Sequence, residues 1–176
     1  GFDSTLLDYQ HTAWNDVDAL EQAIDQADPD TIAAFVAEPI IGAAGAALTP
    51  DDDYFVKAAD LCARNDILFI ADEVMTGFGR CGTKFGHELF GVTPDIMVGS
   101  KGLSGGYAPM GGVFATEKVV APLEATGQTF MYFTYSGHSA SCAVADTVLR
   151  ILEEEDLVAR AEVQGQKLRS RLEEQF

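Results

Sequence analysis

Apolar and polar positions along the chain switch between two periods. Val17, Leu20 and Ile24 recur at helical spacing behind Asn15, a capping residue type, and Pro29 lies just beyond them; a helix is predicted there. Thr31 to Glu38 is a short apolar run that stops at Pro39, read as a buried strand, and Gly42 and Gly45 then mark a loop. Thr49-Pro50 followed by Asp51, Asp52 and Asp53 joins a capping hydroxyl, a first-turn proline and acids suited to the positive end of a helix dipole. Tyr54, Phe55, Ala58, Leu61 and Cys62 share one face of the helix this predicts, and Asn65-Asp66 closes it. Ile67 to Ala71 reads as a second buried strand. Strand, helix and strand make a βαβ unit, and the apolar strands predict a parallel sheet covered on both faces.

Beyond Asp72 comes a loop carrying Gly77, Gly79 and Gly82. Ile96-Met97-Val98 and residues 111–116 (GGVFAT) are predicted strands. From Ser139 the period is helical, with Val144, Val148, Ile151 and Leu152 expected inward. A last, charge-rich helix carries Leu157, Val158, Ala161, Leu168 and Leu172.

Composition narrows the class. The 176 residues are 47% hydrophobic and 22% charged, which suits one domain with a substantial core rather than a disordered tail. No apolar run approaches the ~20 residues of a membrane span. Acids outnumber bases 28 to 11, a net charge of −17. That disfavours nucleic acid and anionic membranes as partners and suits a solvated acidic surface. Cys62, Cys81 and Cys142 contain no C-x-x-C pair, so neither a disulfide framework nor a zinc site is indicated, and a reducing cytoplasm is the expected location. Gly1-Phe2-Asp3-Ser4 has no signal-peptide character. The chain lacks an initiating Met, so a processed product or a piece of something longer is expected.

Three constellations could carry chemistry. Asp72-Glu73-Val74 falls where the second strand ends, and ligands of open α/β sheets sit beyond the carboxyl ends of the strands; a carboxylate there either faces a ligand or caps the loop. Lys101 follows a short strand among Gly99, Gly102, Gly105 and Gly106. Such a lysine is either a desolvated amine able to attack a carbonyl or a surface residue with a snorkelling stem. Residues 102–106 (GLSGG) fit G-x-S-x-G, which would make Ser104 a hydrolase nucleophile, but Gly106-Tyr107-Ala108-Pro109 opposes the helix that motif requires. His138 and Cys142 are four apart, which alone does not make a metal site. No phosphate-binding glycine motif is present.

Taken together, residues 69–80 (FIADEVMTGFGR), Pro94-Asp95-Ile96 and residues 99–103 (GSKGL) with Gly105-Gly106 resemble the signature of class III aminotransferases. Glu38-Pro39 after a strand and residues 134–138 (TYSGH) before a helix resemble the family too. The resemblance runs from about Asn15 to the end of the chain. It implies the fold type I transferase architecture that depends on pyridoxal 5'-phosphate, an α/β/α three-layer domain with a mostly parallel sheet. Lys101 then matches the lysine that holds the cofactor as a Schiff base and moves the substrate proton. Asp72 matches the aspartate on the ring nitrogen, and Val74 the apolar residue on one ring face. Thr134 matches a threonine that reaches the phosphate in the partner subunit, which implies a homodimer with shared active sites. Glu38 matches a glutamate that pairs with a substrate-carboxylate arginine in some members; a strand-end cap explains it equally. The implied substrates are an amino donor and a keto-acid acceptor, with residues 134–138 leaning towards the ω-amino-acid or amine:pyruvate type.

Departures exist: Met75 stands where many members have Gln, Cys81 where Thr is common, Tyr132-Phe133 where His-Gly is frequent, and Ser139 where Pro is frequent. Some related aminomutases carry Met at the first of these. An aminomutase or decarboxylase of the same family, a serine hydrolase using Ser104 and an inactive fragment are therefore the alternatives. Members are much longer, so residues 1–176 are expected to be part of the large domain, with the phosphate-loop segment upstream and the small domain downstream.

Overall fold

A computed structural model describes residues 9–127 and 133–176. The first helix, α1 (Val17–Gln26), is capped by Asp16, whose Oδ1 accepts from the Ala19 N–H at 2.9 Å. Asn15, expected at that cap, instead accepts from the Asp51 N–H at 2.9 Å and ties the start of α1 to the next connection. Strand β1 (Ala34–Ala37) is shorter than the apolar run suggests, because Pro29–Thr31 forms a 3-10 turn. Helix α2 (Tyr54–Arg64) starts later than the Thr49-Pro50 signal. The Thr49 hydroxyl bonds back to the Ala47 carbonyl, and Asp53 takes the cap position.

Strands β2 (Leu68–Asp72) and β3 (Ile96–Gly99) extend the sheet, and β4 (Gly112–Ala115) closes it in the order β1-β2-β3-β4. The first three strands are parallel; β4 runs antiparallel to β3. The fold class is therefore α/β with a mostly parallel sheet. Three helices follow: α3 (Glu117–Ala125), which the sequence pattern did not predict, α4 (Ser139–Glu154) and α5 (Leu157–Glu173).

Strand residues alternate between two faces. In-register pairing puts Phe35 beside Phe69 and Ala37 beside Ala71, and α1 and α2 pack on this face. Phe55, 1% exposed, stacks on Phe69 with ring centroids 5.9 Å apart, touches Phe90 at 5.2 Å and leans on Trp14 at 6.4 Å. The opposite face carries Val36 beside Ile70, and Val98 beside Val113. It is open among the described residues: Val36 is 60% and Val113 71% exposed. Asp72 ends β2 in phase with Leu68 and Ile70, on this open face.

Helices α4 and α5 pack together, and α4 touches the turn that follows β3. Ala145 is the buried residue of α4, Val144, Val148 and Leu152 are half-buried, and Ile151 is exposed rather than inward.

Candidate active site

Because β1, β2 and β3 are parallel, their carboxyl ends lie along one edge of the sheet. Glu38 comes one residue after β1, Asp72 is the last residue of β2, and Lys101 stands two residues beyond β3. The sheet thus brings three of the sequence-derived candidates to one edge, with Asp72 in register with Val98 of β3.

Asp72 is half-buried, and its Oδ1 accepts from the Val74 N–H at 3.0 Å. Among the described residues nothing bonds Oδ2. A carboxylate fixed by one oxygen offers the other in a defined direction. Val74 is half-buried beside it and does two things: its amide orients the carboxylate, and its side chain adds apolar surface.

Glu38 Oε2 accepts from the Gly42 N–H at 3.0 Å and so closes the turn after β1. Gly42 is pressed against Met75: a β-carbon there would meet Met75 Cγ at 2.7 Å. The ends of β1 and β2 are thereby packed together.

Lys101 opens a 3-10 turn (Lys101–Ser104) with φ 38°, a left-handed conformation rare outside glycine, and its side chain is exposed. The Ser100 hydroxyl donates to the Met110 carbonyl at 2.7 Å and fixes the residue before it. Met75, Phe78, Arg80, Leu152 and Leu157 surround a cleft of about 470 Å³ that Lys101 also lines. That cleft lies on the side of Lys101 towards α4 and α5.

Sequence reasoning missed Glu73. Its side chain is 0% exposed, and its carboxylate accepts from the amides of Gly86 and His87, both at 2.8 Å, and from the Thr76 hydroxyl. His87 Nδ1 lies 2.8 Å from Oε1. Burial pushes the carboxyl pKa up, but the hydrogen bonds from His87, Thr76 and Gly86 outweigh it and hold the group below the usual glutamate value. Buried charges are retained when satisfied in this way. The signal lies in contacts 13 and 14 residues apart, which no local spacing reveals.

Other candidates fall elsewhere. Ser104 is 2% exposed and donates to the Ala108 carbonyl at 2.6 Å, with no helix immediately behind it, so it lacks the presentation of a nucleophile elbow. Thr134 is exposed in the turn before α4, and no hydrogen bond or ion pair links it to Asp72, Lys101 or Glu38 among the described residues. Tyr132 lies outside the described residues, as do the first eight. His138 caps α4, its Nδ1 accepting from the Ser141 N–H at 3.4 Å. Among the described residues no group of three or more His, Cys, Asp and Glu is placed to hold a metal ion. The three cysteines are free thiols, and burial pushes Cys62 up to about 11. No described helix is long and apolar enough to cross a membrane.

Comparison with known proteins adds a separate line. The family profile described as aminotransferase class-III matches residues 4–176. The chain is 45% identical over 145 residues to a putrescine–pyruvate aminotransferase of Pseudomonas aeruginosa, covering 82% of this chain and 32% of that protein. It is 46% identical over 144 residues to a probable gamma-aminobutyrate transaminase 4 of Oryza sativa subsp. japonica, covering 80% and 30%. Among solved structures, a thermostable (S)-enantioselective omega-transaminase from Thermomicrobium roseum matches with a TM-score of 0.84 at 44% identity, covering 90% of this chain and 36% of that one. The chain thus spans about a third of the length of the curated relatives it matches.

Proposed function

The chain belongs to the class-III aminotransferases, and from that premise we propose that the whole protein moves an amino group between an amine or amino acid and a keto acid, using pyridoxal 5'-phosphate held by Lys101. The observation that carries this reading is the placing of Asp72 at the carboxyl end of β2 and of Lys101 two residues beyond β3, its parallel neighbour. The donor set fits the cofactor at two points: a primary amine for its aldehyde, and a carboxylate with one oxygen free for its ring N–H. When bound, pyridoxal phosphate supplies an aldehyde joined to an electron-withdrawing ring.

Each residue then has a defined task. The Lys101 amine would hold the cofactor's aldehyde and, when free, would carry the proton to and from the substrate carbon. Asp72 keeps a proton on the ring nitrogen through a charge-assisted bond of about 1.5–3 kcal/mol. Val74 covers one ring face. Thr134, exposed in its turn, is the residue we assign to the phosphate of the partner subunit's cofactor, which makes the working unit a homodimer. Glu38, already bonded to Gly42 through Oε2, has Oε1 unbonded among the described residues, and we assign that oxygen to a substrate-side cation.

Residues 1–176 are taken as part of the cofactor-binding large domain, with the remaining parts of that domain and a small domain elsewhere in the whole protein. The names of the relatives support an amine or ω-amino acid as donor and a keto acid such as pyruvate as acceptor. Free thiols support a cytoplasmic location. In the full-length protein with pyridoxal phosphate, adding an amine donor should shift the visible band, and a keto acid should restore it. A preparation with no such band, in which a serine-directed phosphonate labels Ser104, would overturn the proposal.

A further inference from the structure

Lys101 stands at φ 38°, a conformation that its β-carbon disfavours and that persists only when neighbouring structure enforces it. The loop between β2 and β3 lies against this turn. Phe78 packs against the chain on both sides of Lys101. A β-carbon on Gly99 would meet Phe78 Cε2 at 2.9 Å and Cζ at 3.0 Å, and one on Gly102 would meet Phe78 Cβ at 2.9 Å.

The ring is itself held. Its edge meets Phe85 at a centroid distance of 5.4 Å and 72°, and Phe85 stacks on His87 at 5.8 Å and 8°. His87 Nδ1 bonds the buried Glu73 carboxylate at 2.8 Å, and the Glu73 N–H donates to the Val98 carbonyl of β3 at 2.8 Å. A continuous line of contacts thus runs from the residue beside Asp72, through three rings, to the two glycines that flank Lys101.

We propose that Phe78 is a positioning residue for Lys101: the ring, braced by Phe85, His87 and Glu73, fills the space beneath residues 99–102 and holds the lysine backbone in the one conformation that aims its amine at the cofactor aldehyde. This rests on the reading of Lys101 as the cofactor-binding amine. Phe78 touches no reacting atom; it acts through backbone. Removing the ring leaves a void under a strained turn, which then relaxes among several conformations. A displacement of about 1 Å at a reacting group costs up to ~100-fold in rate.

The test uses the cofactor-free full-length protein and the rate at which Lys101 captures pyridoxal 5'-phosphate, trapped by borohydride and located by peptide mapping. Lys84 and Lys118 serve as internal references. Phe78→Ala should slow capture at Lys101 on the order of tenfold and leave the references unchanged, and Phe78→Leu should recover part of the loss. Gly99→Ala should slow capture with Phe78 present and much less in a Phe78→Leu background. Gly102→Ala, which meets the Phe78 β-carbon that every such variant keeps, should be as harmful in either background. Equal capture at Lys101 in wild type and Phe78→Ala overturns the proposal. If Phe78→Ala fails to fold, the Leu and double variants decide: no rescue of Gly99→Ala by Phe78→Leu overturns it equally. A pyridoxyl mass absent from Lys101 in the wild type refutes the reading beneath it instead.

Discussion

At the scale of single residues, Asp72 shows how a backbone amide prepares a side chain for electrostatic work. Its Oδ1 is occupied by the Val74 N–H, so rotation of the carboxylate is restricted and the free oxygen is the one that can meet a ring N–H. Asp72→Asn keeps the shape and discards the charge that, on the proposed reading, retains the ring proton. Turnover of the full-length enzyme should fall at least ~100-fold, about 2.7 kcal/mol in the barrier, with pyridoxal phosphate still bound. Near-normal turnover in that variant, with the cofactor retained, would show that the ring proton does not depend on Asp72. The place of Asp72 and Lys101 at one edge of the sheet was legible in the sequence because each follows an apolar strand run closely; the roles proposed for them came only from the family resemblance. Glu73 was not: adjacent to Asp72 in the chain, it turns inward and finds its partners on a loop more than ten residues away. Lys101 was legible as a residue type, but its left-handed backbone and the ring beneath it were not.

Among the elements, α2 brings the core's central aromatic ring against the strands. Phe55 meets rings from β2, from the segment before α1 and from the 3-10 turn Gly86–Phe90 within the loop between β2 and β3, all at centroid distances of 5.2 to 6.4 Å. Such a residue anchors the βαβ unit on which Asp72 depends. Phe55→Ala should destabilise the protein by about 3–5 kcal/mol, a large share of the 5–15 kcal/mol of a typical domain. Denaturant unfolding reads this directly; a loss under ~1 kcal/mol would mean that the neighbouring rings collapse into the gap. This unit was foreseeable from periodicity, since the apolar face of α2 and both strands follow their own repeats. The existence of α3 was not, because Pro122 lies inside it and its apolar positions are too exposed to form a clear stripe. The direction of β4 was hidden too, since a four-residue strand looks the same read either way.

At the scale of the 176 residues as a body, charge sets the long-range behaviour. A body at −17 repels a phosphate ester carrying about two negative charges, and Lys101 and Arg80, which line the cleft, oppose that field locally. Repulsion from distant acids is screened beyond about 10 Å at 0.1 M salt, whereas short-range attraction survives better. The association rate of pyridoxal phosphate should therefore rise as salt increases from about 0.05 to 0.3 M. Stopped-flow measurement of the absorbance change checks this, and a falling rate would mean that local cations govern the approach.

The strand order also fixes a schedule. Among the described residues each strand after β1 pairs with its immediate predecessor in the chain, so during synthesis each of them finds its template already made. Glu38 leaves the ribosome first, Asp72 second and Lys101 last. On the proposed reading both candidate carboxylates are thus laid down before the amine exists, and Lys101 cannot meet a stray aldehyde until the strand bearing Asp72 has already been made.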